Sequence, residues 1–129
     1  MSNGRRMVWA ILLVAVLSVG GAAAAFWAQG YRVYVIHTGS MSPTDRPGDV
    51  VIDRAPHGDY RPGQVITFRH SDAASDVVTH RITDITATGL IHTKGDANAS
   101  GDVWDIRPDQ VKGVATYTVP RLGYLLVFL

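Results

Sequence analysis

A chain of 129 residues has room for one core of about 100 residues once its apolar N-terminus is set aside. Its 12 basic and 11 acidic residues leave a net charge of +1, without a basic run or an aromatic-basic interleave, so nucleic acid is not an expected partner. The absence of cysteine excludes disulfides, thiol catalysis and cysteine-bound metal, and any nucleophile must be an alcohol, an amine or a carboxylate.

Residues 1–6, with Arg5 and Arg6, read as a short cytoplasmic N-terminus. Residues 7–28, MVWAILLVAVLSVGGAAAAFWA, form an uncharged apolar run, enough to cross a hydrocarbon core of roughly 30 Å as a helix. The small residues Ala22 to Ala25 would also suit a cleavable leader. Phe26 and Trp27 prolong the apolar run past them, however, and the run exceeds the usual leader length, so an uncleaved anchor is preferred. The remainder, residues 29–129, is then expected outside the cytoplasm.

From Tyr31 onward, short β-branched segments alternate with turns: YRVYVIH, VVIDRAP, QVITFRH, VVTHRITDI, LIHTKGD and VKGVATYTV. This pattern predicts a mainly β, antiparallel domain. Pro47-Gly48 and Pro62-Gly63 each precede a strand-like run, as turns that launch strands do. NASGDVWDIRPDQ reads as a loop. The apolar segment 116–129 is too short to span, and is a truncated second span, a core segment or an interfacial helix.

HTGSMSP places Ser40 between a glycine and Met41, the latter assigned to apolar packing against lipid or core, in what the residues alone describe as a strand-end turn. A serine needs a neighbouring base to become a nucleophile. The candidates are His37, His57, His70, His80 and His92, with Lys94 and Lys112. Period-two alternation puts His80 on one strand face with Val78 and Ile82, whereas His57 and His70 fall in turns and are expected at the surface. No histidine spacing supports a metal site. Asp96 and Asp102 lie in TKGDANASGD, where loop carboxylates commonly close Asx-turns. Either could instead orient a histidine.

GSMSP, VTHRI and TKGDANASGD, in that order behind an apolar anchor, resemble type I signal peptidases of the ER-type branch, that of the eukaryotic and archaeal catalytic subunits. The likeness extends through RPGDVVI and the VKGVA…VP-x-LGY tail. It implies a signal-peptidase-like β domain and a membrane-anchored serine endopeptidase without cofactor or metal, which cuts signal peptides from exported preproteins after small residues. It further implies Ser40 as nucleophile, His80 as general base, Asp102 as the acid that orients His80, and Asp96 as a supporting acidic residue. The oxyanion would be held by the Ser40 backbone N–H and the Thr38 hydroxyl. Implied partners are signal peptides, the lipid bilayer and the export translocase. One departure is Ala97, where the family often has asparagine, which leaves the choice between Asp96 and Asp102 open. Two other readings are a self-processing protease of related β fold with Lys94 as base, and a non-catalytic anchored domain of a surface assembly.

Overall fold

The computed structural model describes residues 2–73 and 76–126, which fall into two compact units divided after Gly30. The first is helix α1 (Asn3–Ala28), the one helix among the described residues long and apolar enough to cross a membrane. None of its residues is buried within the unit, which is costly in water and favourable in lipid. Ser18, its one described hydroxyl group, donates to the Val14 carbonyl (2.8 Å), so even that group is satisfied inside the helix.

The second unit is a six-stranded antiparallel sheet. Its strands are β1 (Arg32–Val35), β2 (Val50–Arg54), β3 (Val65–Arg69), β4 (Val77–Ile85), β5 (Ile91–Lys94) and β6 (Val111–Val119), and they lie in the order β1-β2-β6-β3-β4-β5. Every strand-like run in the sequence is a strand. The expected mainly β class therefore holds, because alternation of β-branched residues suits a sheet with one face on a core. That core is Ile66, Phe68, Ile82, Ile91, Ile106, Val111 and Val114. Gly48 and Gly63 close the two Pro-Gly turns with φ of 90° and 93°, a region that residues with a Cβ rarely enter.

The polar stretch after β5 is an irregular loop, as expected. It gains one isolated bridge between Ile91 and Ile106, and ends in a single 3-10 turn (Pro108–Gln110) before β6. Of the apolar segment 116–129, the first residues complete β6 and Leu122–Leu126 form the short helix α2. Residues 127–129 lie outside the described residues.

Met41 is 1% exposed, in keeping with its assignment to packing: the turn that carries Ser40 folds its next side chain inward as an apolar anchor. One surface expectation is overturned. His70 is half-buried, stacked on the indole of Trp104 with ring centroids 4.4 Å apart and planes 3° from parallel. His57 is at the surface, as its turn position predicts.

Candidate active site

Ser40 sits in a turn between β1 and β2 that is held at its base by the Ile36 backbone, whose N–H donates to Asp49 and whose carbonyl accepts from Gly48 (2.9 Å each). Within the turn, the Ser42 N–H donates to the Gly39 carbonyl (3.1 Å), and the Asp45 N–H to the Met41 carbonyl (3.0 Å). With Met41 buried, Ser40 has little freedom to move.

His80 is positioned by β4 opposite Ile66 of β3, and is 5% exposed with its ring against the edge of Phe68 (6.4 Å between centroids). Its Nε2 lies 3.0 Å from Ser40 Oγ and its Nδ1 2.6 Å from Asp102 Oδ2. An ionised carboxylate only accepts, so Nδ1 carries the hydrogen and Nε2 offers its lone pair to the serine. Thr38 and Ser40 share a hydroxyl hydrogen bond of 3.1 Å. The sequence motifs, forty residues apart, thus converge on one row of alcohol, imidazole and carboxylate.

The two aspartates have different surroundings. Asp102 is tied to β5 twice: its N–H donates to the Thr93 carbonyl (2.9 Å), and the Thr93 hydroxyl donates to Oδ2 (2.7 Å). Asp96 does not touch the histidine. It receives both Nε and Nη2 of Arg81 (2.9 and 2.7 Å) and the hydroxyl of Thr44 (2.6 Å). Those Arg81 hydrogen bonds hold its carboxyl down at about 2, with smaller help from Thr44 and the positive charges of Arg81 and Lys94, against the opposing effect of partial burial. The pair links the nucleophile turn, through Thr44, to the residue after His80.

Four contributors escaped the sequence reading: Thr93, Arg81, Thr44 and Gly95. Thr93 carried a signal, being a polar residue at an inward position of β5 two residues from buried Ile91. Trp104 packs between Phe68 (6.4 Å) and His70, and so pins the loop that presents Asp102. Lys94 is turned away, its ammonium on the Gly95 carbonyl (3.2 Å). Among the described residues no group of His, Asp and Glu is placed to hold a metal ion.

An alcohol hydrogen-bonded to an imidazole that is itself hydrogen-bonded to a carboxylate is the arrangement of serine hydrolases, recognised by geometry and not by order along the chain. No family model matches the chain. Over 117 residues, 87% of its length, it is 34% identical to signal peptidase I W of Bacillus subtilis (strain 168). The matched segment makes up 58% of that relative, so the chain spans less than two thirds of it. Over that segment the chain is a homologue of signal peptidase I.

Proposed function

We propose that this protein is a membrane-anchored serine endopeptidase that removes signal peptides from exported preproteins, working on the outer face of the cytoplasmic membrane with its N-terminus inside. The observation that carries this reading is His80, which has Ser40 Oγ at 3.0 Å on one ring nitrogen and Asp102 at 2.6 Å on the other. Ser40 Oγ attacks the scissile carbonyl carbon while its proton passes to His80 Nε2. Asp102 keeps the ring in the productive tautomer and stabilises the imidazolium. The oxyanion faces the Ser40 N–H and the Thr38 hydroxyl. Collapse breaks the C–N bond as His80 returns the proton to the departing amine. Water, deprotonated by the same ring, then hydrolyses the acyl-serine.

A cleft of about 120 Å³ beside Ser40, walled by Val35, Ile36, Met41 and Val78, supports a substrate with an apolar side chain before the cut. Beside it, β4 has an open edge: β3 pairs with Val77 to Arg81, but β5 begins pairing only at Arg81. An extended peptide can add there and take affinity from main-chain hydrogen bonds.

The test is cleavage of a model preprotein by the purified full chain. Wild type should cut, Ser40→Ala and His80→Ala should lose at least about 10³-fold, and Lys94→Met should keep full activity, since its ammonium is directed at a carbonyl. A lysine-based self-processing mechanism requires the opposite for Lys94; cleavage that survives Ser40→Ala would remove Ser40 as nucleophile, and a wild type that does not cut would return the protein to the class of non-catalytic assembly domains.

A further inference from the structure

Two clefts draw on the same two segments, the nucleophile turn and β4, one at Ser40 itself and one on residues further along both. The smaller is lined by Thr38, Ser40 and Met41 of the nucleophile turn and by Val78 and Thr79 of β4. The larger, about 470 Å³, is lined by Thr44 and Asp45 of the same turn and by Arg81 of the same strand. His80 stands between the two sets on β4. A polypeptide that crosses Ser40 and follows these two segments would run from the smaller cleft toward the larger.

The far wall of the larger cleft is strand edge. Residues 115–118 of β6 pair with β2 on one side, but toward β3 the pairing stops at Val114 with Ile66. The segment leading into β3 turns instead to β4, where the Gly63 N–H donates to the Ile82 carbonyl and the Ile82 N–H to the Gln64 carbonyl (2.8 Å each). The sheet is split there, with the backbones of 115–118 and 63–65 on opposite sides of a gap. Backbone groups along a sheet edge are a template for an added strand.

The lining of the gap carries charges of both signs, but the acidic and basic groups are committed to different degrees. Asp45 is buried and accepts from the Thr118 hydroxyl (2.6 Å), and Arg81 is committed to Asp96 and to the Gly63 carbonyl (2.8 Å). Arg54, half-buried at the end of β2, adds a cation to the lining.

We propose that the larger cleft binds, as an added strand, the residues of the substrate that follow the scissile bond, and that Arg54 favours an acidic residue among them. This rests on the peptidase reading above and extends it to the mature side of the substrate, which that reading leaves unassigned.

Three peptides with identical residues before the cut test it on the full-length protein. One ends a single residue after the cut, and two run six residues beyond it, carrying Asp or Lys at the third to fifth positions. The Asp peptide should exceed the truncated one at least tenfold in kcat/KM and the Lys peptide at least fivefold. Thr116 is exposed on the gap, so Thr116→Trp fills it without touching the core and should bring the long and short peptides to within twofold of each other. Arg54→Glu should reverse the Asp-over-Lys order. The inference is overturned if wild type cuts all three peptides equally, or if the length advantage survives Thr116→Trp and the acid preference survives Arg54→Glu. Failure to cut any of them would instead overturn the peptidase reading, and this inference with it.

Discussion

A Cβ placed on Gly95 would stand 2.5 Å from the Ser40 carbonyl oxygen and 3.1 Å from His80 Nε2. The Ala97 N–H donates to that same carbonyl (2.9 Å), so the loop after β5 closes directly onto the back of the nucleophile. Glycine is required for close approach at this point. Gly95→Ala must push Ser40 and His80 apart by several tenths of an ångström or more, and misplacement of that order is expected to cost about 10²-fold in kcat. Steady-state cleavage of a model preprotein, with a thermal melt to confirm folding, checks this. Unchanged turnover would show that the contact does not position the pair.

Asp102 and Asp96 should separate cleanly in their asparagine variants. Asp102→Asn leaves the hydrogen-bonding shape but favours the wrong histidine tautomer, and about 10⁴ in kcat should be lost. Asp96→Asn should cost much less turnover and act on acid stability. Its carboxyl is held down at about 2 by Arg81, so its stabilisation is present above the unfolded carboxylate value near 4 and is lost as pH falls from about 4 toward 2. Urea midpoints between pH 2 and 5 should show a shallower acid limb in Asp96→Asn than in wild type. Equal kcat losses in the two variants would refute the division of roles.

Asp53 behaves in the opposite sense. It is 0% exposed, neither oxygen has a partner at good hydrogen-bond geometry, and burial pushes its carboxyl up to about 6. The carboxylate of Asp45 adds to the rise, while the nearby Thr67 hydroxyl offsets part of it. The neutral form is thus favoured on folding: its contribution is full below about pH 4 and disappears as pH rises from about 4 to about 6. Asp53→Asn cannot ionise, and should be more stable than wild type at pH 7.5 by about 2 to 3 kcal/mol but little different at pH 4. Denaturant melts at the two pH values decide it, and a pH-independent difference would count against burial of the charge as the cause.

Thr38→Val should lower kcat by about 10²- to 10³-fold, equivalent to about 2.7 to 4 kcal/mol, with KM nearly unchanged, if its hydroxyl serves the oxyanion. The hydroxyl lies 3.1 Å from Ser40 Oγ, close enough to turn toward an oxygen formed beside it. A variant with normal kcat would leave the Ser40 backbone N–H as the donor without Thr38.

The secondary structure of the second unit could be read from alternation and Pro-Gly turns, because a strand with one buried face writes its period into the chain. Ser40 and His80 were singled out for a different reason: no block is telling alone, and only GSMSP, VTHRI and TKGDANASGD taken in order carry a resemblance that points to them. His70 was misread because nearest-neighbour composition says nothing about a partner supplied by another element, here the indole of Trp104, thirty-four residues later.

By itself, the amino-acid sequence determined an apolar helix, six strands, a chain with alcohol and imidazole chemistry but no thiol, and the order of the motifs. These follow from local pattern and from residue chemistry, which need no fold to be read. Only the tertiary structure decided which aspartate meets His80. Asp96 and Asp102 sit six residues apart in one polar loop, and nothing local distinguishes them. Arg81 captures the first with two guanidinium hydrogen bonds, and Thr93 holds the second at the histidine. Both partners are brought there by the pairing of β4 with β5. Register between strands, a long-range property, therefore made the assignment that composition could not.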